Sequence, residues 1–177
     1  MTRVKWKKLD YPEIAKGIEY CHYNVHRLMK GASLSFSKCL YANSVVQAIL
    51  AMEEQGRKLL LWSTYVGIIE LDEKYWKTMF RDHQGKIASL AMGHFSAKGE
   101  RKWMRTFDKI GSQYQTLKEH AMYVTFDLQT DRWIHPGTIT RRKALLVLKD
   151  AKSFASTTDD MMVEDDEYQT LDSFLRC

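Results

Sequence analysis

Only two prolines, Pro12 and Pro136, interrupt a chain of 177 residues. Proline removes a backbone donor and clashes with the preceding helical turn, so a chain almost free of it is open to long helices. Between the two prolines the apolar residues recur at spacings of three and four, the helical period, rather than alternating as in a half-buried strand.

Asp10-Tyr11-Pro12-Glu13 reads as a helix start, with Asp10 as the cap and Pro12 in the first turn. Ile14, Ile18, Cys21, Val25 and Leu28 then form one stripe of a helix running from about Pro12 to Lys30, with a possible continuation to Lys38 through Gly31 and the serines at 33, 35 and 37. A second helix spans about Tyr41 to Val66. At about 100° per residue from Ala42, the positions Val45, Val46, Ile49, Gly56 and Leu60 fall within about 60° of one direction, and Glu53 falls among them at about 20°. Glu54 and Lys58, four apart, lie on the shoulder and polar side as a helix ion pair. A third helix spans about Asp72 to Phe95. Trp76, Met79, Phe80, Ile87 and Leu90 cluster on it, with His83 inside the cluster and Lys86 on its flank. A fourth covers parts of 101–122. Tyr123-Val124-Thr125-Phe126 is a short β-like run, 127–137 is a loop, and a last helix runs from Arg141, capped by Thr138 or Thr140, to about Phe154. The expected fold is an all-α antiparallel helical bundle with a short irregular or β-like connection near 123–137.

A composition of 45% hydrophobic and 28% charged residues is that of a globular domain, and the length suits one domain. Residues 1–158 are read as that domain and 159–177 as an acidic tail. The tail holds seven of the 22 acids and one of the 27 bases, which leaves 26 bases and 15 acids, or +11, in the body. Such a body attracts phosphate. Three cysteines without a CxxC spacing suit a reducing compartment rather than a disulfide framework. The charged start has no apolar run behind it, and no window approaches a membrane span, so a soluble cytoplasmic protein with no membrane partner is expected.

Glu53 and His83 are the residues most open to chemistry. An acid in an apolar stripe is costly unless it is paired, and an imidazole with the same peculiarity on a neighbouring helix can pair with it. Two readings stand: a buried structural hydrogen bond, or a pair in which the carboxylate orients an acid/base imidazole. Bundle metal sites repeat Glu-x-x-His on two helices, whereas here Glu19 and His22 match it once, so neither metal nor cofactor is expected. P-loop, Rossmann and G-x-S-x-G patterns are absent from the sequence. Lys5-Trp6-Lys7-Lys8, Arg101-Lys102-Trp103-Met104-Arg105, Arg132-Trp133 and Arg141-Arg142-Lys143 interleave cations with tryptophan, either as nucleic-acid contacts or as solvated faces.

Three segments resemble the AbiV-type abortive-infection family. Ala48-Ile49-Leu50-Ala51-Met52-Glu53-Glu54-Gln55-Gly56-Arg57-Lys58 resembles its A-x-E-E-x-G-K helix, with Arg57 inserted before Lys58. Phe80-Arg81-Asp82-His83-Gln84-Gly85-Lys86 resembles its F-x-x-H-x-x-K segment. Ala121-Met122-Tyr123-Val124, followed by Asp131-Arg132-Trp133-Ile134-His135-Pro136, resembles its YV…W…P connection. The family is similar to the HEPN superfamily. That resemblance implies a helical bundle, a homodimer, a role in phage defence with a phage-encoded trigger protein, and action on RNA. It also implies metal-independent RNase chemistry, in which an Arg and a His separated by four to six residues hold the phosphate and move the ribose proton. This chain has no such Arg–His pair. Lys118 and Tyr123 have the spacing but not the chemistry, a phenol being a poor base at neutral pH. Glu53, His83 and Lys86 are therefore the alternative catalytic candidates, with Lys58, Arg57, Arg81, Lys118 and Tyr123 as RNA or phosphate contacts. A non-catalytic helical dimer that binds a protein or RNA is the competing expectation.

Overall fold

The structure, a computed structural model, describes residues 9–70, 72–97, 107–127 and 131–163. The chain is an all-α bundle, with the described helices α1 (Tyr11–Ser37), α2 (Tyr41–Tyr65), α3 (Glu73–Phe80), α4 (His83–Ala97), α5 (Phe107–Met122) and α6 (Arg141–Val163). The β-like connection is a short antiparallel hairpin, β1 (Thr125–Asp127) with β2 (Arg132–Ile134), in which Phe126 is opposite Trp133. The basic segments at 5–8 and 101–105 and the tail from 164 onward lie outside the described residues.

α1 begins as its sequence dictates. The Asp10 side chain accepts from the Glu13 N–H at 2.9 Å while Glu13 reaches back to the Asp10 N–H, a reciprocal capping box. The stripe Ile14, Ile18, Cys21, Val25, Leu28 and Ala32 is buried along its whole length, and this holds the helix through Gly31 to Ser37. Packed against it, α2 is buried on every side rather than along one stripe, because α1, α3, α4, α5 and α6 all touch it. Apolar residues occupy its two ends. Val45, Ala48, Ile49 and Met52 join Ile87, Leu90, Leu117 and Val147 in one cluster, and Leu59 to Trp62 join Ile14, Ile18, Trp76 and Met79 in another. Between them, at 53–58, is a polar belt containing buried Glu53, Gln55 and Lys58.

The expected third helix from Asp72 to Phe95 is two helices. Asp82 ends α3 and starts α4: its side chain accepts from the Gly85 N–H at 2.9 Å and its carbonyl from the Lys86 N–H at 3.2 Å. A short carboxylate that competes for backbone donors favours a cap over a helix interior, which is the physical reason for the break. The break also re-phases the helix and moves His83 from mid-helix to the first position of α4. α2 and α4 were expected to be antiparallel neighbours. Instead their contacts rise together, with Glu53 against His83, Gly56 against Lys86 and Leu59 against Gly93. The intervening α3 supplies the return leg.

The last helix runs nine residues past Phe154, so Asp159 and Asp160 are helical rather than the start of a tail. Asp159 is held there by Gln55 and Lys58.

Two glycines allow close crossings over the first turn of α4. A Cβ on Gly56 would lie 2.1 Å from the Lys86 carbonyl oxygen, and one on Gly111 of α5 would lie 2.4 Å from that of Gln84. In an open helix, glycine to alanine gains about 1 kcal/mol. Here overpacking against rigid backbone reverses the sign, so Gly56→Ala is expected to cost about 1–3 kcal/mol and to lower the melting temperature by several degrees. Gly17→Ala, where the neighbour is a Leu61 methyl at 3.1 Å, serves as the control with little loss. Calorimetric melting of both variants checks this, and equal melting temperatures would contradict the close crossing.

Candidate functional site

Glu53 and His83 meet. His83 Nδ1 lies 2.6 Å from Glu53 Oε2, and Lys118 Nζ lies 2.5 Å from the other carboxylate oxygen, Oε1. Three helices deliver the three groups: Glu53 from the centre of α2, His83 from the first position of α4, and Lys118 from α5. The register follows from the glycines. Gly56 is one turn from Glu53, Lys86 is one turn from His83, and Gly111 is two turns from Lys118, each on the same face of its helix. Once backbones touch at Gly56 and Gly111, the side chains one and two turns away are brought into reach.

The environment of the carboxylate is lopsided. Glu53 is 2% exposed and Lys118 is 7% exposed, whereas the His83 side chain is 52% exposed. Histidine was expected inside the apolar cluster; the helix break at Asp82 instead puts it at the rim. Its Nδ1 donates to the carboxylate, which fixes that tautomer and leaves Nε2 on the side away from Glu53. A buried carboxylate held by an ammonium, orienting a half-exposed imidazole, is an arrangement suited to moving a proton to or from something outside the bundle.

The other expected site residues divide between interior and surface. Lys86 is buried, 1% exposed, beneath the α2 crossing. Burial lowers its ammonium from the ordinary lysine value, the nearby Arg57 and Lys118 act in the same direction, and Glu53 and Glu54 oppose them. Lys58, read from sequence as a phosphate contact and a partner for Glu54, is also buried. Its Nζ donates to Asp159 Oδ1 at 2.7 Å and contacts His22 Nδ1 at 3.0 Å. Lys118, likewise read as a phosphate contact, is the interior partner of Glu53. Arg57 is partly exposed, donating to Glu54 at 3.1 Å and to the Met79 carbonyl at 3.0 Å. Arg81 stacks its guanidinium 5.7 Å from the Trp76 ring centre. Tyr123 is exposed just past the end of α5 and takes no part in the hydrogen bonds of Glu53.

A second network was not anticipated. Asp159 joins Gln55 and Lys58, Lys58 reaches His22, and His22 Nε2 lies 3.1 Å from His26 Nε2. An ammonium has only donors, so His22 accepts at Nδ1 and its Nε2–H donates to His26. The i,i+4 spacing of His22 and His26 was visible in the sequence. Their link to Lys58 was not, because helical phase alone put Lys58 on the polar side of α2. Among the described residues no group of three or more His, Cys, Asp or Glu is placed to hold a metal. A hollow of about 790 Å³ between α4, α5 and α6, crossed by the Tyr114–Asp150 hydrogen bond, contains none of Glu53, His83, Lys86 or Lys118.

A family model described as AbiV, of the HEPN group, matches residues 13–155, which include Glu53, His83 and Lys118 and, of the second network, all but Asp159. The chain belongs to the AbiV family. No curated protein and no solved structure gives a match. In this AbiV-family chain the residues of the A-x-E-E-x-G-K and F-x-x-H-x-x-K segments face one another across the α2–α4 crossing. Among the described residues no helix is long and apolar enough to cross a membrane.

Removing one partner from a buried ion pair typically costs about 3–5 kcal/mol, because the other charge is left unpaired. Lys118→Met alone and Glu53→Gln alone are each expected to destabilise the fold by that order. The double variant is expected to lose clearly less than the sum. Urea unfolding of the four proteins gives the coupling, and strict additivity would show that the contact carries no energy.

Proposed function

We propose that the chain is an abortive-infection effector that arrests host growth or translation by acting on RNA, with His83 as its proton-transfer group. The observation that carries this reading is the 2.6 Å contact between Glu53 and a half-exposed His83. A purely structural histidine in a core would be enclosed; this one is tethered at Nδ1 while half of its side chain is exposed.

The chemistry that such a group can perform on RNA needs no metal. His83 Nε2 takes the proton of a ribose 2′-hydroxyl. The 2′-oxygen forms a bond to the adjacent phosphorus, and the bond from phosphorus to the 5′-oxygen breaks. The leaving oxygen takes a proton from the imidazolium or from water, giving a 2′,3′-cyclic phosphate and a 5′-hydroxyl end. Arg57, one turn past Glu53 on α2, and Arg81, two residues before His83, are the guanidinium groups this reading assigns to the phosphate. Lys118 acts only through Glu53, as a positioning residue. The same reading includes a cytoplasmic homodimer and a phage-encoded protein as trigger.

A second reading keeps the fold and drops the chemistry: a helical dimer that sequesters RNA or protein. It is favoured by Lys118 and Tyr123 standing where an Arg–His pair would be expected, with Lys118 turned inward. The two readings separate in one experiment. Induced expression of the wild-type chain is expected to slow growth, and purified protein to cut total cellular RNA to cyclic-phosphate ends. His83→Ala is expected to reduce cleavage by about 10²–10⁴-fold and to relieve the growth defect, while circular dichroism shows an unchanged fold. If His83→Ala is equally toxic, His83 is not the acting group. Intact RNA bound in a strongly salt-dependent way would select the second reading.

A further inference from the structure

Between α1 and α2 lies a groove of about 600 Å³ lined also by Phe80 from the end of α3, and by Glu54, the residue next to Glu53 in the chain. Its walls are unusual in composition. Tyr20 and Tyr23 stand 60% and 71% exposed on the α1 side, and Phe80 is exposed opposite. Each wall carries a cation against a ring: Lys16 Nζ lies 5.6 Å from the Tyr20 ring centre, and the Arg57 guanidinium lies 5.7 Å from that of Phe80. Glu54 is held by Arg57 within the same groove.

The geometry points to this groove as a subsite that holds unpaired bases of single-stranded RNA next to His83. Exposed aromatic faces hold bases by stacking, which tolerates any sequence because every base has a π-face, and flanking cations follow the phosphates. Paired bases are already stacked on one another and cannot offer their faces to tyrosine, so the groove selects single strands. Continuity with the site comes from the helices. Arg57 is one turn from Glu53 on the same face of α2, and Phe80 is three residues from His83, at most about 11 Å along the chain. A strand whose base stacks on Phe80 therefore meets Arg57, at a ring three residues along the chain from the half-exposed His83. A body carrying +11 over residues 1–158 supplies the long-range attraction.

This inference rests on the RNA reading of His83, and the test separates the two. The probe is a fluorescein-labelled, unstructured 12-nucleotide oligoadenylate RNA, free or annealed to its complement. Binding to the full chain is followed by anisotropy in a His83→Gln background, and cleavage is followed with His83 present. Tyr20→Ala and Tyr23→Ala are each expected to weaken single-strand binding by about 5- to 100-fold. Tyr20→Phe is expected to keep the affinity, and the duplex is expected to bind less tightly and to be indifferent to Tyr20→Ala. Both tyrosines are solvent-exposed, so neither substitution threatens the fold.

If the alanine variants bind within twofold of the parent and the chain with His83 still cleaves, the groove subsite is wrong and the role of His83 survives. Tyrosine-dependent binding without cleavage supports the groove and overturns the catalytic reading. A chain that neither binds nor cuts the oligonucleotide overturns both, and leaves the groove to a protein partner.

Discussion

A carboxylate placed at the centre of a helix that is covered on all sides must find partners or cost several kcal/mol. Glu53 is that carboxylate, and much of the bundle is organised around satisfying it. Its two oxygens face two different helices, with an ammonium from α5 on one and an imidazole from α4 on the other. Both contacts require backbones closer than ordinary side chains permit. Gly56 and Gly111 provide that approach, and Asp82 starts α4 at the residue that lets His83 face the carboxylate. The charge, the glycines and the helix break are thus one device. A buried polar group specifies register more sharply than an apolar contact does, since sliding either helix by one residue would strand a charge.

The same logic is repeated a turn along α2. Lys58, too deep for water to solvate, is neutralised by Asp159 of α6, while Gln55 anchors the same carboxylate. The two networks divide the polar belt between them and leave it by different exits. One emerges at His83, between α2 and α4. The other emerges at His26, on the outer face of α1. An acidic residue that composition assigns to a tail is in this way a structural part of the body, and the last helix is longer than its apolar pattern suggests because the ion pair continues where the hydrophobic stripe stops.

The family segments take on separate duties in this frame. Within 48–58, Glu53 holds His83, Glu54 holds Arg57, Gly56 admits the backbone of Lys86, and Lys58 holds Asp159. Within 80–86, Phe80 borders the aromatic groove, Asp82 caps, His83 faces the carboxylate, and Lys86 packs beneath the crossing. Arg57, the extra residue before Lys58, is the member that reaches outward, toward Met79 and Phe80. Residues that look alike in composition are therefore of two kinds: lysines that hold the bundle together from inside, and a partly exposed arginine that ties Glu54 to the end of α3.

By itself the sequence determined the helical class, the extents of α1 and α2, the β-like connection, and the oddity of an acid on an apolar stripe. These are local matters of period, capping and proline scarcity, and they are decided by neighbours within a turn or two. Tertiary structure decided the rest. Whether a lysine at a given helical angle meets water depends on how many helices surround it, so Lys58, Lys86 and Lys118 read as surface charges and turned out to be interior ones. Whether Asp82 caps or sits mid-helix depends on what the next turn packs against, and that choice moved His83 from the core to the rim. Burial is a property of the assembled bundle, and a single chain position carries no record of which distant helix will cover it.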